Sequence, residues 1–426
     1  MVRVLRFTDT GPAVQLLQLA LNRALYGPLE TDGIFGLRTR EALLRFQTAN
    51  ALAADGIAGR RTHEALLPWY TGSLRHRVRR GESFYSIARL YGARPDAVEL
   101  ANSELQPGNL PVGATVTVPL PFRVVPTEID CCSALTAYCV RGLCLRYPFL
   151  TSSAYGRSVM GRPLWALRLG SGENRVLYSA AHHANEWITA LLLLSFIEEL
   201  CEAFAVGGTV FAQSAGEIFS YARLCFAPLV DPDGVDLATG ELQSGERYDS
   251  ARAIAARWPE IPFPTGWKAN ILGTDLNLQY PALWEKARAI KAAAGVRGPA
   301  PKDYVGSAPL SAPESRALWD LTRSFDPALV TAWHTQGEVI YWLFEGSAPP
   351  ASADIVGSFA AVSGYAPAET PPSASYAGFK DWFIQDFRRP GFTIEAGRGV
   401  NPLPLSDFPA IRSRCLGILT LAALVT

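Results

Sequence analysis

No apolar run in this 426-residue sequence is long enough to span a membrane. Its two most apolar stretches, around Ile188–Ile197 and Leu416–Val425, fall well short of the roughly 20 residues that a span needs. A net charge is missing too: 39 basic and 39 acidic residues cancel. That removes the sustained positive field on which nucleic-acid binding depends. Lysine is absent from residues 1–127, which hold 15 arginines against 10 acidic residues, so the front of the chain is mildly basic. The opening "MVRVLRFTDTG" has neither an apolar core of roughly 7–15 residues nor a small-residue cleavage site, so no export signal is expected there. Cysteines number seven, and four crowd into "CCSALTAYCVRGLC" as Cys131, Cys132, Cys139 and Cys144. Their spacing is not the paired C-x-x-C of a zinc knuckle. Cys132 and Cys139 fall on one helical face, which predicts buried thiols in a reducing compartment. Histidines number only five.

What is present is enough apolar material, 49% of residues, to build a sizeable core. The length predicts two or three domains. A repeat occupies the front: "DGIFGLRTREAL" from Asp32 and "DGIAGRRTHEAL" from Asp55. Asp-Gly favours a tight turn, and Gly36 and Gly59 free the backbone before a helix that starts near Thr39 and Thr62. With the preceding "AVQLLQLALNRAL", this predicts a three-helix unit over residues 1–70. The repeat and the "LRFQ" at Leu44–Gln47 resemble the peptidoglycan-binding domain of cell-wall hydrolases. Residues 73–121 read as strand, helix, helix, strand. Their "RRGES", "IARLYG", "LAN" and "GATVTVP" segments resemble a LysM domain, whose family binds N-acetylglucosamine-containing glycans. The Pro-rich "VPLPFRVVP" that follows is expected to be a stiff linker.

From residue 128 to 426, strand-like runs ("RVLYSAA", "ARLCFAPLV", "ALVTAWH") alternate with long helical patterns ("WITALLLLSFIEELCEAF"). That alternation predicts an α/β domain with a mixed, largely parallel central sheet flanked by helices. His183 and Glu186 lie three apart just after a strand-like run, and His334 ends another. Ligands collect at the carboxyl ends of strands in open α/β sheets. Two imidazoles and a carboxylate with one position open make a catalytic zinc set. "GFTIE" is an apolar strand ending on Glu395, and a carboxylate in such a place calls for a role. His182 is expected to point away from His183 and to pack.

Six segments in order ("HHANEWIT", "DPDGVD", "GWKANILGTDLNLQYPA", "AWHTQG", "KDW" and "FTIE") make this region similar to the zinc carboxypeptidases of the pancreatic type. The resemblance implies one zinc per chain on His183, Glu186 and His334, and Glu395 as general base. It further implies that Asp275 orients a ligand histidine and that Lys268 stands where the family has an oxyanion-stabilising arginine. The family's Asn-Arg clamp for a terminal carboxylate becomes Asn277-Leu278, so removal of a C-terminal residue is not the expected activity. Lys380 falls at the floor of the specificity pocket and is expected to favour a substrate carboxylate. Tyr376 is the nearest match to the family's pocket-covering tyrosine. These departures resemble the branch that cuts the γ-D-glutamyl-diaminopimelate bond of bacterial wall stem peptides. Peptidoglycan is then the expected partner, its glycan strand on the LysM-like module and its stem peptide at the zinc site, with no nucleic acid and no membrane. A murein carboxypeptidase or amidase of other bond specificity and a non-catalytic wall or spore-layer protein stay open as alternatives. The expected location is the cytoplasm or a sporulating cell, in association with wall or spore peptidoglycan.

Overall fold

Each turn of the front repeat is closed by a glutamine. Gln18, on the helix Pro12–Arg23, donates through Nε2 to Asp32 Oδ1 (2.7 Å), Ile34 O (3.0 Å) and Thr39 Oγ1 (3.2 Å), and its Oε1 accepts from Gly33 N. One repeat later Gln47, on the helix Leu37–Ala49, does the same with Asp55, Ile57, Thr62 and Gly56. Gly33 and Gly56 hold φ near +74° and +72°, where a side chain would be strained. Both carboxamides are buried and fully used, and removing either would strand buried polar atoms at a cost of about 1–3 kcal/mol. The computed structural model describes residues 3–425. A third helix, Arg60–Thr71, completes this module.

Next, the strand Ser73–Arg77 pairs antiparallel with Thr115–Pro119, and the short helices Phe84–Leu90 and Pro95–Leu100 lie between them in sequence. Ser83 and Ser86 cap the first of these reciprocally. Val78, Phe84, Ile87, Val98, Val116 and Val118 form its core. Residues up to Ile129 make one compact unit together with Ala134–Thr151. Within that unit the helix Ser133–Arg146 seats Gly142 so closely that a Cβ there would lie 2.3 Å from Thr71 O, and Arg146 donates to Gly72 O and Leu120 O.

The second unit, Asp130–Ser133 with Ser152–Thr426, holds an eight-stranded sheet. The order across it is Ala366–Ala368, Val339–Tyr341, Gly391–Glu395, Leu329–His334, Asn174–Ala180, Ala222–Ala227, Pro163–Leu169 and Thr151–Arg157. The four central strands run parallel, from Gly391–Glu395 to Ala222–Ala227. Antiparallel pairing flanks them on both sides. This is the mixed, largely parallel α/β sheet expected from the alternation of patterns. The helix Ile188–Ala205 is apolar on almost every face because most of it is buried. Parallel strands buried on both faces account for the near-continuous apolar runs of the sequence. Six of the seven cysteines are buried. Among the described residues, no helix is long and apolar enough to cross a membrane.

Candidate metal centre and active-site cavity

The three central strand ends carry the site. Asn174–Ala180 stops, the chain turns through Ala181 at φ 50°, and His182 and His183 follow before a single 3-10 turn, Ala184–Glu186. Thr189 staples that turn: its Oγ1 accepts from Ala181 N (3.0 Å) and donates to Glu186 O (2.7 Å). Ala184 N bonds Lys268 O at 3.0 Å, which ties in the loop bearing Lys268. His334 ends its strand, and Glu395 is its register partner on the neighbouring parallel strand.

The geometry brings three donor groups together. His183 Nδ1 lies 3.0 Å from Glu186 Oε1, and His334 Nδ1 lies 2.9 Å from Glu186 Oε2. The two Nδ1 atoms are 3.1 Å apart. Two imidazole nitrogens at that distance cannot both carry a proton towards each other. A cation in their midst would use every lone pair at once. Ligands roughly 2.0–2.1 Å from a tetrahedral zinc stand about 3.4 Å apart, so a small outward adjustment admits the ion. Among the described residues this is the one His, Cys, Asp or Glu group so disposed. The residues fit zinc.

Asp275 stands behind His183, with Oδ1 3.1 Å from Nε2. It starts the short 3-10 turn Leu276–Leu278 and accepts from Asn277 N and Asp303 N as well. Lys268 Nζ reaches Glu186 Oε1 at 3.1 Å. His182 is fully buried, with Nε2 2.9 Å from Ser179 Oγ, and lies outside the donor set.

Electrostatics follow from this crowding. Burial opposes a charge on His183, yet Glu186 and Asp275 push it up to about 9. Burial also works against ionised Glu186 and Asp275, but cationic His183 and Lys268 hold both below the usual carboxylate range. Glu395 goes the other way: burial and then the Glu186 charge push it up to about 8. Lys268 is raised, as the surrounding carboxylates outweigh burial.

His183, Lys268, Asp275, Asn277 and Glu395 line one cavity of about 140 Å³, and Leu278, Lys380 and Asp381 line it too. Asn277 Oδ1 accepts from Phe379 N. Lys380 is 4% exposed, so it is not a surface lysine, and it is already engaged by Leu343 O and Asp381. Tyr376 lines an adjoining cavity of about 290 Å³, with Lys286 Nζ 4.2 Å from its ring centre. Sequence reasoning passed over Asp381 and Asn401. The latter donates to Thr335 O (2.8 Å) and Glu186 Oε1 (3.4 Å) from a loop whose Asn-Pro gives no hint of it.

Comparison with known proteins agrees with this geometry. A family described as zinc carboxypeptidase matches residues 139–399, the peptidoglycan binding domain matches residues 10–66, and LysM matches residues 76–119. Gamma-D-glutamyl-L-diamino acid endopeptidase 1 of Lysinibacillus sphaericus is 44% identical over 279 residues, which cover 66% of this chain and 68% of that one. YqgT of Bacillus subtilis (strain 168) is 40% identical over 277 residues, 64% of this chain and 72% of that one. Bovine thrombin-activatable fibrinolysis inhibitor, solved with tick carboxypeptidase inhibitor, superposes with a TM-score of 0.53 at 18% identity, covering 70% of this chain and 97% of that one, which shows a shared fold. With a catalytic-domain match over most of its length and these relatives, the chain belongs to the zinc carboxypeptidase family.

Proposed function

We propose that this chain is a zinc endopeptidase that hydrolyses the bond between the γ-carboxyl of D-glutamate and a diamino acid, meso-diaminopimelate, in peptidoglycan stem peptides. The observation that carries the reading is a single cavity. It is lined by His183, Lys268 and Glu395 together with Leu278 and Lys380, and His183 belongs to the converging donor set that Glu186 and His334 complete. Identity of 44% to a gamma-D-glutamyl-L-diamino acid endopeptidase supports the bond assignment. The two front modules support peptidoglycan as the polymer.

His183, Glu186 and His334 would hold the metal. Asp275 accepts the Nε2 proton of His183 and so fixes the tautomer whose Nδ1 offers a lone pair. When bound, zinc supplies the positive charge that acidifies a water and polarises the scissile carbonyl. Glu395 takes a proton from the attacking water and delivers it to the leaving nitrogen. Burial first and the Glu186 charge second raise its pKa, and a cation held by Glu186 would offset the second of these. Lys268, whose Nζ lies 3.1 Å from Glu186 Oε1, would donate to the carbonyl oxygen as negative charge builds there. A lysine gives that oxygen charge without the forked geometry of arginine. Leu278 offers no charge to a terminal carboxylate, so a substrate that continues beyond the site is tolerated. The front modules, by holding the glycan, raise the local concentration of stem peptides.

We place this activity on wall or spore peptidoglycan, reached from the cytoplasm or from a sporulating cell; the buried cysteines suit folding in a reducing compartment. Mass spectrometry of stem peptides incubated with the zinc-loaded protein tests the bond. Release of fragments that begin with diaminopimelate is expected. Removal of a terminal D-alanine, or cleavage of the amide to muramic acid, would replace this assignment.

A further inference from the structure

Among the described residues, five donors face the Glu186 carboxylate. Oε1 meets His183 Nδ1 (3.0 Å), Lys268 Nζ (3.1 Å) and Asn401 Nδ2 (3.4 Å), and Oε2 meets His334 Nδ1 (2.9 Å) and Thr335 N (3.3 Å). Three of the five have another task in the loaded enzyme. The two imidazoles offer their Nδ1 lone pairs to the ion, and Lys268 is the donor proposed for the substrate's carbonyl oxygen. That leaves two neutral N–H groups, one on each oxygen of a carboxylate that is 1% exposed. A ligand carboxylate needs such outer partners to keep its orientation.

Asn401 is itself held for that contact. The second hydrogen of its amide nitrogen goes to Thr335 O (2.8 Å), and Oδ1 accepts from Thr335 Oγ1 (2.7 Å). This network fixes which end of the amide faces Glu186, because a flipped amide would set Oδ1 against both Thr335 O and a carboxylate oxygen. The loop that carries Asn401 is tied to the segment after His334 by Ala396 N to His334 O (2.8 Å), Gly337 N to Gly397 O (2.7 Å) and Glu338 N to Gly397 O (3.1 Å). Thr335 directly follows the donor His334, so the Thr335–Asn401 pair fastens two members of the donor set to one another. The amide also brings no charge. A cation in its place would compete with the ion for Glu186, and an aspartate would set a second anion against it.

We infer that Asn401 is a positioning residue of the metal centre: anchored on Thr335, its amide holds the Glu186 carboxylate in the orientation from which it binds zinc. The inference rests on the proposed ligand set, of which Glu186 is a member.

Two measurements on the full-length protein test it without recourse to activity: zinc affinity by competition with a chromogenic chelator, and the visible absorption bands of the cobalt-substituted form. Asn401→Leu keeps the bulk and loses the amide. It should weaken zinc binding roughly 10–100-fold, as loss of an outer partner of a ligand does, and shift the cobalt bands. A folded Asn401→Leu protein with wild-type zinc affinity and unaltered cobalt bands would overturn the inference, even if it melted at a lower temperature, since Asn401 would then only close its loop. Circular dichroism of the metal-free variant checks the fold. Where Asn401→Leu does not fold, a pair at position 335 decides. Thr335→Val removes the hydroxyl that anchors Oδ1 but keeps the backbone N–H, and should weaken zinc binding by a smaller factor, while Thr335→Ser restores the hydroxyl and should return both readings to wild type. A Thr335→Val protein equal to wild type in both readings would then overturn the inference. Failure of the ligand set itself shows separately, as wild-type protein that binds no zinc or as Glu186→Ala that binds it as tightly as the wild type.

Discussion

Replacing Asp275 by asparagine should weaken zinc binding by roughly 10–100-fold, about 1.4–2.7 kcal/mol, as loss of a carboxylate behind a ligand histidine does. The structure shows why so small a change matters. Asp275 Oδ1 faces His183 Nε2 and Asn277 N, and Oδ2 accepts from Asp303 N. Asparagine has one oxygen to offer where aspartate had two. If the oxygen stays on His183, the amide N–H₂ confronts the N–H of Asp303. If the amide flips, its N–H₂ faces Nε2 and forces the proton of His183 onto Nδ1, the atom that must ligate. One effect runs the other way. Asp275 helps to push His183 up to about 9, so at pH 7 zinc competes with a proton that the variant holds less firmly. The loss should therefore be smaller at pH 7 and complete above pH 9. Competition with a chromogenic chelator at the two pH values measures both, and circular dichroism of the metal-free variant checks its fold. Unchanged affinity above pH 9 in a folded variant would refute the orienting role.

Glu395→Gln keeps the shape and loses the proton acceptor, so turnover should fall about 10²–10⁴-fold while zinc stays bound; near-normal turnover would remove Glu395 from the mechanism. His183→Ala should bind no zinc, whereas His182→Ala, which loses a bond to Ser179, should retain it; elemental analysis of the purified variants decides between the neighbours. Metal-free protein should lose stability as pH rises from about 6.5 through 9, because His183 and Glu395 have folded values near 9 and 8, above their unfolded ones. Such groups stabilise fully below the unfolded pKa and stop doing so as pH rises through the folded one. Zinc binding expels His183's proton, so the gap in melting temperature between loaded and metal-free protein should widen over the same range. A metal-free melting temperature that stays flat or climbs there would contradict this.

Much of the sheet was legible because its central strands are short, apolar and end on their polar residues. "LVTAWH" and "GFTIE" are the strands Leu329–His334 and Gly391–Glu395 residue for residue. Parallel neighbours in register bring such ends to one edge, which is why His183, His334 and Glu395 gather although about 60–150 residues separate them along the chain. The signal lies in local composition, and the topology does the assembling. The front repeat was legible for a related reason, since Asp-Gly fixes its turns locally. Its staples were less so: Gln18 and Gln47 look like ordinary helical polar residues until the turn closes over each of them.

The pocket floor shows where sequence reasoning stops. Lys380 was identifiable by position, and a cation there reads naturally as a partner for a substrate anion. Its neighbour Asp381 is adjacent in sequence, and adjacent residues on a helix point about 100° apart, so nothing local predicts that they meet. They meet because the burial of the helix Phe379–Phe387 leaves Lys380 no route to water, and its ammonium bends back to Asp381 and to Leu343 O from another segment. Tyr376 marks the same limit. Its place in the adjoining cavity depends on the path of the loop after Thr370, and residue spacing carries no record of that path. Charge read from a sequence gives the inventory of a pocket. The substrate it selects depends on which of those charges are already spent on one another, and Lys380 is already spent on Asp381.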